Sequence, residues 1–255
     1  MPSRMLRRRR GVSPPGVLAS LVSAGLMGGC APAPSATLFV GAASSMQSTL
    51  EARGRAFEDS HPGVRVEIIG DSSSRLARQL IDGAPYDVFV SARVDLGEEL
   101  HRSAITSEPV IITATGLALA YPQARRGDDQ PRLPSLVAGA TTIAVADPSV
   151  PLGQYTHRWL SASGETTEVL RRVRSFEASA LAVARRLTAG EVDLAIVYTQ
   201  QCASLPRRFH CLPVDTTPIF YVSAVNESSA HRELALEFVR EVEAALPGLR
   251  AGSPR

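Results

Sequence analysis

The chain has 255 residues, 44% of them hydrophobic, and 27 basic against 25 acidic side chains for a formal charge of +2. All the basic residues are arginines, and five of them (Arg4, Arg7, Arg8, Arg9 and Arg10) sit in the first ten positions. Without that segment the balance is 22 arginines against 25 acids, or −3, which excludes a broadly basic face for nucleic-acid phosphates.

In chain order, the basic start leads into an apolar run from Val17 to Met27. That run falls short of the roughly 20 residues a membrane-crossing helix needs. Its order of basic, apolar and small residues is that of a secretory signal. The run closes as L-M-G-G-C, which resembles the lipobox of bacterial lipoproteins, with Met27 where Leu is usual. The expectation is a signal peptide over 1–29 and lipidation of Cys30. A Pro-rich tether over 30–36 then spaces the chain off the extracytoplasmic face of the cell membrane. With Cys30 lipidated, Cys202 and Cys211 are an even pair in an oxidising compartment, which favours a disulfide. A structural zinc site wants about four Cys/His ligands at short spacings. The five histidines are scattered without such a pattern, so no metal site is expected.

Beyond the tether, short apolar runs alternate with amphipathic stretches, the pattern of α/β layers. ATLFVGAA reads as a strand and SSMQSTLEARGRAFEDS as its helix; VRVEIIG and SSSRLARQLIDG form a second such pair. YDVFVSA and VDLGEELHRSA make a third. VIITATGLALAYP reads as a long extended run broken at Gly116, followed by LPSLVAG, TTIAVADP and a helix around Tyr155–Ser161. Ser179 to Ala189 is apolar at helical spacing, VDLAIVY is a buried strand, and PIFYVSAV a late one. HRELALEFVREVEAAL closes the series as an amphipathic helix.

The serines carry the chemistry. Ser44 and Ser45 follow the first strand, and Ser72, Ser73 and Ser74 follow the second. Strand-to-helix corners of an open α/β sheet are where ligands bind. A helix start offers unpaired N–H donors and the positive end of the dipole, and so suits an anion. A single serine there is ordinarily an N-cap; two clusters on consecutive units point to a shared site.

These residues resemble those of the periplasmic molybdate-binding proteins of ABC transporters. That family carries A-A-S, then S-S-S-x-L-A-R-Q-I-x-x-G-A-P-x-D-x-F-I-S-A, a D-P-x-x-x-P-x-G-x-Y turn, and a helix leading to G-I-V-Y. This chain has A-A-S at 42–44, S-S-S-R-L-A-R-Q-L-I-D-G-A-P-Y-D-V-F-V-S-A at 72–92, D-P-S-V-P-L-G-Q-Y at 147–155, S-A-L-A-V-A-R-R-L at 179–187 and A-I-V-Y at 195–198. The resemblance implies that Ser44 (hydroxyl and amide), Ser73, the amides of Leu152 and Ala180, and the phenol of Tyr198 hold the oxyanion. Positions two and five into that helix point away from its mouth, so Arg75 and Arg78 read as solvated; Arg78 and Asp87, both part of the family pattern, are implied to stabilise the lobe. Departures from the family pattern are Ser179 for Asn, Arg93 after S-A, and T-Q-Q-C after the tyrosine.

The fold so implied is α/β: a two-lobed type II periplasmic binding protein with a central mixed sheet in each lobe. Lobe one spans 37–112 and 219–255, lobe two 113–218, and the crossings near Thr113–Gly116 and Thr217–Ile219 form the hinge. The implied role is that of a non-enzymatic, monomeric solute-binding component that delivers molybdate or tungstate to an inner-membrane ABC permease and uses no cofactor. Sulfate, phosphate or another anion is the alternative ligand. A serine hydrolase lacks its G-x-S-x-G elbow here, and no His and Asp partners follow the serines.

Overall fold

The computed structural model describes residues 35–123 and 133–246. The expectations for the signal, Cys30 and most of the tether lie outside them. The elements run β1 (Ala36–Ala43), α1 (Gln47–Ser60), β2 (Val64–Asp71), α2 (Ser73–Ile81), β3 (Val88–Ser91), α3 (Val94–Arg102) and β4 (Val110–Thr115). After Gly116 come β5 (Leu117–Pro122), α4 (Leu133–Gly139), β6 (Ile143–Ala146), α5 (Pro151–Ser163), α6 (Thr166–Leu170) and β7 (Val173–Glu177). The chain continues through α7 (Ala180–Thr188), β8 (Leu194–Tyr198), a 3-10 turn at Thr199–Ser204, β9 (Phe209–Pro213), β10 (Ile219–Val225) and α8 (Arg232–Ala245).

The strands form two five-stranded mixed sheets, in the orders β2-β1-β3-β10-β4 and β7-β6-β8-β5-β9. In each sheet the parallel ladders sit on one side: β2-β1-β3 in the first, β7-β6-β8 in the second. Antiparallel strands complete them, β10 and β4 in the first and β5 and β9 in the second. Central strands are buried along their whole length (β3 as VFVS, β6 as IAVA, β8 as LAIVY), as expected where helices cover both faces of a parallel ladder. The edge strand β2 instead alternates, with Arg65 and Glu67 facing water.

The chain passes between the sheets twice, at Gly116 and over 214–218. These passages lie side by side. Thr199 N donates to Gly116 O at 2.9 Å, and a side chain at Gly116 would stand 3.3 Å from Thr216 Oγ1.

Asp87 ties the first sheet together. Its Oδ2 accepts from Phe39 N at 2.8 Å and its Oδ1 from Ser229 Oγ at 2.6 Å, which links β1, the start of β3 and the approach to α8. Arg78, expected to be solvated and also to share that work, lies 74% exposed and paired with Asp82 at 3.2 Å. An exposed pair of this kind contributes little, so the stabilising role falls to Asp87.

Candidate functional site

All five positions implied by the resemblance line one small cavity between the sheets: Ser44 and Ser73 from the first, Leu152, Ala180 and Tyr198 from the second. Each of the five is buried. The space is small, and its walls already meet. Hydrogen bonds join the two sides. Ser74 Oγ donates to Ser149 O (3.1 Å), Tyr155 Oη to Ala92 O (3.0 Å), Leu181 N to Ser44 Oγ (3.4 Å) and Gln200 Nε2 to Ser45 O (3.4 Å).

The serines reach the cavity by different routes. Ser72 is the N-cap of α2, its hydroxyl accepting from Arg75 N, so Ser73 is the first helical residue and points inward. Ser44 does not open a helix: α1 begins three residues later at Gln47, and Met46 caps it without a side-chain bond. The expectation that Ser44 and Ser45 start the helix therefore fails. The turn between them and α1 is closed by Met46 N donating to Ala43 O, which delays the first helical turn. The Ser44 amide is also committed elsewhere, donating to Asp71 O at 2.8 Å, which leaves its hydroxyl to face the cavity.

Both hydroxyls are left with a proton to donate. Ser44 Oγ accepts from Leu181 N, and Ser73 Oγ accepts from Ala92 N at 3.0 Å. A hydroxyl whose oxygen already accepts an amide proton keeps its own proton to donate. Tyr198 behaves alike for another reason. Its Oη is buried and finds no partner among the described residues. Burial, then the neighbouring Tyr221 and Tyr155, hold its pKa well above the usual tyrosine value, so it stays protonated. Its ring is braced edge-on between Tyr155 and Tyr221, and Tyr221 Oη in turn meets Ser45 Oγ at 2.7 Å.

Leu152 and Ala180 contribute backbone. Pro151 and Leu152 are the first two residues of α5, and Ala180 is the first of α7. The first N–H groups of a helix have no intrahelical acceptor, so the Leu152 and Ala180 amides are donors without a helical partner. Proline is well suited to the first helical position, where it brings the right φ and lacks an N–H that would be orphaned. At Gly153 an added Cβ would lie 2.0 Å from Asp147 O, so only glycine lets the Asp147–Pro148 turn pack against the helix start. Three helix N-termini (α2, α5 and α7) thus converge on the cavity, with three hydroxyl donors between them.

Sequence reading missed several neighbours. Gln201, counted above only as a departure, is buried and links two of the five positions: its Oε1 accepts from Tyr198 N at 3.1 Å and its Nε2 donates to Ala180 O at 3.1 Å. Asp71 lies on the cavity wall, but its carboxylate turns to Ser72 N (2.7 Å) and to Arg75 at 3.5 Å. No arginine is among the residues lining the cavity. Arg75 is largely exposed, as expected. Farther along the chain, Cys202 and Cys211 are joined in a disulfide that ties the 3-10 turn to β9.

A family model described as bacterial extracellular solute-binding protein matches residues 38–245. The molybdate-binding protein ModA of Mycobacterium tuberculosis is 28% identical over 212 residues, which cover 82% of this chain and 80% of that protein. Among solved structures, the periplasmic molybdate-binding protein of Azotobacter vinelandii aligns with a TM-score of 0.70 at 24% identity, over 81% of this chain and 92% of that one. The sulfate-binding protein SubI of M. tuberculosis aligns with a TM-score of 0.68 at 14% identity, over 82% and 81% of the two chains. These structural likenesses bear on the fold.

Proposed function

The chain belongs to the bacterial extracellular solute-binding proteins, and from that premise we propose that it captures molybdate, or its near-twin tungstate, for an ABC importer. In this reading the mature chain is a monomer held to the extracytoplasmic face of the membrane through a lipid on Cys30. The halves about the two sheets (37–112 with 219–255, and 113–218) act as lobes that close on the anion.

The supporting observation is the polarity of the cavity. The Ser44, Ser73 and Tyr198 hydroxyls and the Leu152 and Ala180 amides are all oriented or available as donors. A fully deprotonated tetrahedral dianion needs only donors. A protonated phosphate would bring an O–H that meets no acceptor, and an unpaired buried polar group costs roughly 1–3 kcal/mol. The charge is offset without an arginine, by helix dipoles and charge-assisted hydrogen bonds of about 1.5–3 kcal/mol each. Similar donor arithmetic suits sulfate, and the fold is shared with a sulfate-binding protein, so sulfate is the competing ligand.

Calorimetric titration of the mature chain with molybdate, tungstate, sulfate and phosphate tests the reading. Molybdate and tungstate are expected to bind with similar affinity and well above the other two. Preferential sulfate binding would move the assignment to sulfate, and no binding of any of the four would end it.

A further inference from the structure

At the opposite ends of the parallel strands from the cavity, a second constellation has no part in oxyanion capture. His61 follows the last turn of α1 and packs against α8, where Glu237 and Glu241 stand one helical turn apart. One ligand atom from each of the three lies within 4.8 Å of the others. The imidazole is held firmly: it stacks on Phe57 with centroids 3.8 Å apart, and its Nδ1 lies 2.9 Å from Phe57 O.

A carbonyl oxygen can only accept, so Nδ1 carries the proton of the neutral ring and Nε2 is left with its lone pair. That lone pair faces the Glu237 carboxylate, with Nε2 and Oε1 3.3 Å apart. Two acceptors do not approach this closely without something positive between or upon them. Two ligands each about 2.0–2.1 Å from a tetrahedral ion sit about 3.3–3.4 Å apart, which matches the one pair His61–Glu237, as a plain ion pair also does. A ring nitrogen tied to a backbone carbonyl is also the usual outer support of a metal-ligating histidine, since it fixes the tautomer that presents the other nitrogen. One imidazole and two carboxylates on a partly open surface form a three-ligand set with room for water in the remaining position.

We propose that His61, Glu237 and Glu241 bind one divalent transition-metal ion of the zinc class, which would clasp the end of α1 to α8. The competing account is a plain ion pair between a doubly protonated His61 and Glu237, in which Glu241 is idle.

The test uses the full chain, free of any histidine tag and stripped with chelator, titrated with Zn²⁺ by calorimetry at neutral pH with and without saturating molybdate. One equivalent is expected to bind and to raise the thermal midpoint, with molybdate leaving the zinc affinity unchanged. Glu241→Gln, on an exposed helix face, is expected to fold normally and weaken zinc at least tenfold, and His61→Gln to do the same or more. On zinc addition the His61 ring signals should shift while those of the other histidines stay. Absence of zinc binding, or zinc affinity unaltered by Glu241→Gln, overturns the proposal in favour of the ion pair. Failure of molybdate to bind leaves this result readable, because zinc affinity and the His61 signals are measured without it.

Discussion

The two walls of the cavity solve one problem with different materials. The wall from the first sheet presents side-chain hydroxyls, Ser44 and Ser73, each aimed by an amide that reaches it from the backbone. The wall from the second sheet presents backbone amides at the starts of α5 and α7, and a single phenol from the end of β8. Side-chain donors are replaceable one atom at a time. Backbone donors persist through almost any substitution, because their position depends on the helix and not on the residue. This difference explains why the particular side chains at positions 152 and 180 need not matter to the chemistry. It also says where substitutions should hurt.

The largest effect is expected from stripping the hydroxyl wall. Ser44→Ala with Ser73→Ala removes two donors to the anion, for roughly 3–6 kcal/mol of binding, or about 10²- to 10⁴-fold in Kd by titration. Ser73→Ala alone should lose about ten- to a hundredfold. It also leaves Ala92 N unpaired, so its thermal stability should be measured beside its affinity. If the double variant binds normally, the hydroxyl wall does no binding.

On the other wall the matching change is Ala180→Pro. Proline is tolerated at the first helical position and deletes only the N–H. The preceding Ser179 is already extended, as a residue before proline must be. Affinity is expected to fall roughly ten- to a hundredfold with the helix intact by circular dichroism. Ala180→Val, which changes the side chain and keeps the amide, should fall far less. Equal losses for the two would mean that the side chain matters and the amide does not.

The disulfide belongs to the second wall's support and not to its chemistry. Replacing Cys202 and Cys211 by Ser should lower unfolding free energy by at most about 2.5–3 kcal/mol, the loop-closure value for about ten residues, with molybdate affinity nearly unchanged. The smallest effect is expected for Arg75→Ala. Arg75 is paired with Asp71 outside the cavity, so affinity should stay within about twofold. A large loss there, with Ser73→Ala unaffected, would replace the neutral-donor picture by a charge clamp.

Much of this was legible in the sequence. The buried strands β1, β3, β6 and β8 read clearly because both faces are covered and apolar residues run without interruption. The strands that escaped notice, β7 and β9, are the two edges of the second sheet. An edge strand buries less, and β7 carries Arg174 and an exposed Phe176, so its pattern dissolves into polar surroundings. At the site, the serine clusters were visible because strand-to-helix corners have a local signature, whereas Leu152, Ala180 and Tyr198 were reached only through the resemblance to the family. Gln201 was not, since its role is to join two backbone groups that meet only after folding. The trio of His61, Glu237 and Glu241 was hidden for a similar reason. Its members lie near opposite ends of the described chain, so a search for short ligand spacings passes over them.

The absent side chain at Gly153 limits how this pocket can be retuned. Because Asp147 O occupies the space a methyl would need, α5 cannot slide toward the turn that precedes it, and the amide at 152 is fixed in depth. Selectivity for a larger or smaller anion would then have to change through the serine wall. A mutant library aimed at a new oxyanion should keep positions 147–153 fixed and vary 44 and 73, where the donors hang on side chains.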